Sequence, residues 1–107
     1  MGYRYVRLTN AGAYAARMQL SWSAIVNGQT VTGKYEQSGY HDILTPNSRT
    51  IDMQEQAHIP EGATVRLNCF VVAGRDKSVL FTYSCEPGST ISFQCDGTTL
   101  FNSLKQI

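Results

Sequence analysis

Ala15-Ala16-Arg17-Met18-Gln19-Leu20-Ser21-Trp22-Ser23-Ala24 is the stretch that decides the fold. Ala16, Met18, Leu20, Trp22 and Ala24 alternate with Ala15, Arg17, Gln19, Ser21 and Ser23. Side chains of an extended chain point to opposite faces in turn, so this period of two predicts a long, half-buried β-strand. Asn27-Gly28 follows. A type I′ hairpin turn needs positive φ at both central positions, and Asn-Gly meets that need best. The chain is expected to return as a second strand through Thr30 to Gln37.

The same reading extends outward. Val65, Leu67, Cys69 and Val71 alternate with Arg66, Asn68, Phe70 and Val72. Gly74-Arg75-Asp76-Lys77 makes a polar turn, and Val79, Phe81, Tyr83 and Cys85 share the next face. Glu86-Pro87-Gly88-Ser89 turns again, with Pro presetting φ and Gly free to take the left-handed region. Ile91, Phe93 and Cys95 follow on one face, then Asp96-Gly97 turns and Thr98 to Leu104 reads as a last strand. Tyr3 to Thr9 reads as a first strand and Thr50 to Gln54 as a shorter one. No window of about eleven residues carries helical spacing. Seven to eight short strands with turns between them predict an all-β sandwich of two antiparallel sheets. The core is expected at Met18, Leu20, Trp22, Val65, Leu67, Phe81, Ile91 and Phe93.

A chain of 107 residues predicts one domain, residues 1–107. Its 42% hydrophobic and 16% charged residues are those of a globular protein. Nine Lys and Arg against eight Asp and Glu leave a formal charge of +1, so no nucleic-acid partner and no polybasic lipid contact are expected. No apolar run approaches the ~20 residues of a membrane-spanning helix. Met1-Gly2-Tyr3-Arg4-Tyr5 lacks the apolar centre of a signal peptide, and Val6 stands where a myristoylation motif wants Ser or Thr. The sequence leaves the location open between the cytoplasm, release without a classical signal, a secreted form trimmed of its signal, and peripheral attachment to a membrane. Cys69, Cys85 and Cys95 are three in number and lack CxxC spacing, which predicts reduced, buried thiols rather than a disulfide framework or a zinc site.

Positive signs of catalysis are missing. His41 and His58 have no second ligand at metal spacing, the acids are scattered, and no phosphate loop or nucleophile elbow occurs. The chain is expected not to be an enzyme and to hold no metal or cofactor. The features left over are Gly97-Thr98-Thr99-Leu100-Phe101, Ala13-Tyr14-Ala15-Ala16 and Tyr40-His41-Asp42-Ile43-Leu44. Each has a structural alternative: Leu100 as core, Tyr14 packed over a turn, Ile43 and Leu44 opening a buried strand. In a binding reading, Thr99 offers a hydroxyl beside the apolar Leu100. That pairing suits a sterol, which presents one hydroxyl on a flat hydrocarbon body.

In this order, the segments resemble the C-terminal membrane-recognition domain of the cholesterol-dependent (thiol-activated) cytolysins. The resemblance runs from Asn10-Ala11-Gly12-Ala13-Tyr14 through Leu20-Ser21-Trp22, Ser38-Gly39-Tyr40-His41-Asp42 and Ile59 to Leu67, and closes on Gly97-Thr98-Thr99-Leu100. It implies a β-sandwich whose tip loops meet the membrane, with Thr99-Leu100 in the place of the family's cholesterol-touching pair. Ala13, Tyr14, Ile43 and Leu44 are the accompanying candidates. The family's Trp-rich, Cys-containing undecapeptide has no counterpart here, since its place reads Val72-Ala73-Gly74-Arg75-Asp76-Lys77-Ser78-Val79-Leu80. The implied function is a non-lytic module for a cholesterol-containing membrane. The alternative is a binding domain for a protein or glycan partner, without membrane activity.

Overall fold

The computed structural model describes residues 2–107. Eight strands form: β1 (Tyr5–Asn10), β2 (Ala16–Val26), β3 (Gln29–Glu36), β4 (Ser48–Asp52), β5 (Thr64–Val71), β6 (Lys77–Thr82), β7 (Thr90–Gly97) and β8 (Asn102–Gln106). They make two four-stranded sheets, ordered β4-β1-β7-β8 and β3-β2-β5-β6. This is the expected all-β sandwich, with one departure in pairing. β1 runs parallel to β7, with Val6 opposite Ile91 and Leu8 opposite Phe93. A parallel pair cannot be closed by a hairpin, so the chain builds the whole second sheet before β7 returns beside β1.

The alternation along β2 places Ala16, Met18, Leu20 and Ala24 inward, and all four are buried. Val65, Leu67, Cys69 and Val71 do the same on β5. Facing them are Val6 and Leu8 of β1, Ile51 of β4, and Ile91, Phe93 and Cys95 of β7. The Phe81 and Phe93 rings meet across the sandwich, 5.9 Å between centroids and tilted by 40°. Of the expected core, Trp22 alone is only half-buried, although it packs against the buried cluster. Its partner across the ladder is Gly33, and a Cβ there would run into the indole ring. The indole lies over the space left by the missing side chain of Gly33, on the edge strand β3.

The β2–β3 turn forms as the sequence predicts, with φ of 52° at Asn27 and 78° at Gly28. The first and last strands are shifted from expectation. Tyr3 precedes β1 and makes only an isolated bridge to Tyr83. Residues 98–101 form a loop, and β8 starts at Asn102. That shift puts Thr99 and Leu100 in a connection rather than in a ladder.

Candidate functional site

Four connections gather at one end of the sandwich: residues 11–15, 37–47, 72–76 and 98–101. A buried asparagine organises the first two. Asn10 is fully buried, and its amide donates to the carbonyls of Tyr14 (2.6 Å) and Ile43 (2.8 Å). Its Oδ1 accepts the Gly12 N–H at 2.8 Å, closing an Asx turn. Ile43 and Ala16 exchange backbone hydrogen bonds of 2.7 and 3.1 Å. The Thr45 hydroxyl donates to the Gly12 carbonyl.

The other two connections are also tied together. The Arg75 N–H donates to the Thr99 carbonyl at 2.9 Å. The Asn102 amide bridges the carbonyls of Arg75 (2.9 Å) and Thr99 (3.1 Å). A Cβ on Gly74 would strike the Thr99 carbonyl, so glycine is needed for this close approach. Gly97, at φ 92°, turns the chain out of β7 where a side chain would meet the Phe101 carbonyl. The Phe101 N–H then donates to the Thr98 hydroxyl at 3.2 Å. Among the described residues no hydrogen bond engages the Thr99 hydroxyl.

The candidate residues fare differently. Leu100 is 56% exposed and Leu44 is 47% exposed, while Thr99 is half-buried and Ala13 is exposed. Ile43 is a correction: its pairing with Ala16 turns the side chain into the core, where it is 1% exposed. It cannot touch a surface. Tyr14 is half-buried, packs over Gly12 and donates its hydroxyl to the Asp96 carbonyl at 2.9 Å. Burial pushes its phenol well above the usual range. Tyr14 therefore braces the loop rather than presenting itself.

Two exposed aromatics complete the tip and were missed as site residues by the sequence reading. Phe101 is 84% exposed and Tyr40 is 73% exposed. The signal for Phe101 lay in Gly97-Thr98, where a glycine turn capped by a hydroxyl stops the ladder and leaves the next apolar residues outside it. Around the tip, Arg17 pairs with Asp42 and lies 5.6 Å from the Phe70 ring centroid. The His41 ring binds Glu36 through Nε2 at 2.7 Å and the Gly39 carbonyl through Nδ1 at 2.7 Å. Both partners are acceptors, so both ring nitrogens donate and the imidazolium is the favoured form. Hydrogen bonding to Glu36, then to Gly39, holds the His41 pKa above its ordinary value. Among the described residues no group of three or more His, Cys, Asp or Glu could hold a metal ion. Among the described residues no helix is long and apolar enough to cross a membrane.

No protein-family model and no curated protein sequence matches the chain. Solved structures do. A Gram-negative toxin aligns with a TM-score of 0.55 at 19% identity, covering 95% of this chain and 22% of its own. A non-hemolytic pneumolysin from Streptococcus pneumoniae aligns at 0.51 and 14% identity, covering 96% and 23%. A disulfide-locked mutant of intermedilysin, solved with human CD59, aligns at 0.50 and 15% identity, covering 96% and 23%. The structural neighbours are cholesterol-dependent cytolysins, and the chain spans less than a quarter of their length. The fold is that of a cytolysin-like β-sandwich domain.

Proposed function

We propose that the chain is a peripheral, non-lytic module that recognises cholesterol-containing membranes through the end bearing residues 98–101. The observation that carries the reading is the exposure of Leu100 and Phe101 beside a Thr99 hydroxyl with no hydrogen-bond partner among the described residues. In this reading the Thr99 hydroxyl bonds a sterol hydroxyl while Leu100 and Phe101 enter the apolar layer. Leu44 and Tyr40 add contacts from the neighbouring loop. Full burial of one such side chain contributes about 1.5–3 kcal/mol. A few of them give reversible attachment of the single-anchor kind, not irreversible insertion. The Val72-Ala73-Gly74-Arg75-Asp76 connection carries no tryptophan, so attachment in this reading rests on Leu100, Phe101, Leu44 and Tyr40.

The test is co-sedimentation with phosphatidylcholine vesicles, with and without cholesterol, alongside dye release. The expected result is cholesterol-dependent binding without leakage. Leu100→Ser with Phe101→Ser should abolish binding, and Thr99→Ala should remove the sterol preference. Because Leu100 and Phe101 lie outside the core, the variants keep the native circular-dichroism spectrum. A wild-type protein that ignores cholesterol at high lipid concentration sinks this reading. A protein or glycan partner held by the same loops is the second reading. What favours it is the neighbouring intermedilysin structure, which was solved with human CD59.

A further inference from the structure

The side of the domain carries a second feature, separate from the loop end. On the outer face of the β3-β2-β5-β6 sheet, the central strand β2 presents Ser21 and Ser23, while its neighbours present longer side chains. Ser21 pairs with Lys34 on one side and Arg66 on the other, and Arg66 faces Leu80 on β6. Ser23 pairs with Thr32 and Thr64. Short side chains flanked by long ones leave an open trough of about 530 Å³. It continues along the sheet into a hollow of about 400 Å³ that shares Ser21 and Lys34 and adds Gln19, Glu36 and Asn68.

The electrostatics of this trough are one-sided. Among the described residues neither Lys34 nor Arg66 forms an ion pair. Arg66 donates one bond, from Nη1 to the Ser78 hydroxyl at 3.0 Å. The nearest acid along the face, Glu36, is already engaged by His41 at 2.7 Å and by the Gln19 amide at 3.2 Å. Asp76, across the sheet at the same end as Glu36, accepts from the Val71 N–H and the Asn68 amide. Two cations thus stand on either side of a hydroxyl-lined floor, about two strand spacings or roughly 10 Å apart. Like charges so placed repel mildly, and a ligand anion between them would relieve the repulsion.

We propose that this trough binds an acidic oligosaccharide. Lys34 and Arg66 take its carboxylate or sulphate, and the guanidinium fork is suited to bidentate contact with either. The hydroxyls of Ser21, Ser23, Thr32 and Thr64 can each donate and accept, as sugar hydroxyls require. Leu80, 55% exposed, supplies an apolar surface for a sugar ring. The open, elongated shape fits an extended chain of sugars better than a compact molecule. The site does not depend on the loop end, so this proposal and the membrane reading fail independently.

Isothermal titration with a sialylated oligosaccharide, a sulphated oligosaccharide, their neutral parents and inorganic sulphate, all at one ionic strength, tests it. At least one acidic sugar should bind tenfold or more tightly than its neutral parent. Lys34→Ala and Arg66→Ala should each weaken that binding about tenfold, and Ser21→Leu, which fills the floor, should abolish it. Leu100→Ser with Phe101→Ser should leave it unchanged. Equal binding of acidic and neutral sugars, inorganic sulphate binding as tightly as the acidic sugar, or full binding by the Lys34 and Arg66 variants would each overturn the proposal.

Discussion

The side-chain amide of Asn10 donates to the main-chain carbonyl of Ile43, 2.8 Å away, and ties the end of β1 to a connection thirty-three residues further on. With its bonds to Tyr14 and Gly12, this is the polar centre of the loop end. Asn10→Ala would leave a buried donor and two buried carbonyls short of partners. The expected loss is about 2–4 kcal/mol of stability. Urea denaturation monitored by circular dichroism measures it, and a loss under ~0.5 kcal/mol would show that water replaces the bonds without penalty.

Asn102 holds the two connections nearest Leu100 by bonding the carbonyls of both Arg75 and Thr99. Asn102→Ala should weaken vesicle binding several-fold by freeing the Thr99 loop, while most of the global stability remains. Comparing vesicle binding with the denaturation midpoint separates the two effects. Unchanged binding would mean that the loop keeps its shape without the bridge.

Gly33 makes room for the Trp22 ring. Gly33→Ala should therefore destabilise by about 1–3 kcal/mol through overpacking. Indole fluorescence should shift to the red as the ring is pushed towards solvent. In a Trp22→Leu background the same change should be nearly neutral, and a double-mutant cycle gives the coupling.

His41 carries a pKa raised above its ordinary 6.5 by Glu36 and Gly39, with Arg17 opposing. A group whose folded pKa is raised stabilises the protein fully below its unfolded value, and that contribution fades as pH rises through the folded one. The connection carrying Tyr40 and Leu44 should accordingly become more mobile as pH rises above 6.5 and through the raised His41 pKa. An NMR titration should place the His41 midpoint above 6.5, and Glu36→Gln should bring it down. A midpoint at or below 6.5 would contradict the pairing.

The three thiols are free, but they are not equivalent. Cys69 and Cys95 are buried, whereas Cys85 is half-exposed, with its Sγ donating to Gln54 Oε1 at 2.9 Å. The adjacent Cys95 thiol and burial push the Cys69 thiol up, which makes it unreactive. A maleimide reagent should label one cysteine in the native protein and all three after unfolding. Rapid native labelling of Cys69 or Cys95 would show that the sandwich opens.

By itself the sequence determined the central strands and the faces they bury, but not the bounds of the first and last strands. Period-two alternation is a local property, and residues such as Met18, Leu20, Val65 and Leu67 carry it without help from the rest of the chain. The Asn27-Gly28 turn was legible for the same reason, because its requirement for positive φ is met by two adjacent residues. Tertiary structure decided everything that depends on which residues meet. The parallel neighbour of β1 lies more than eighty residues away, and no local pattern names it. Ile43 and Leu44 are adjacent and similar in chemistry, yet one bridge to Ala16 sends the first into the core and leaves the second outside. Leu100 and Phe101 read as strand until Gly97 and the Thr98 hydroxyl closed the turn before them. Lys34, Ser21 and Arg66 came together only when β3 and β5 docked on either side of β2. A strand pattern fixes which face a side chain takes, but only the pairing of distant strands fixes its neighbours.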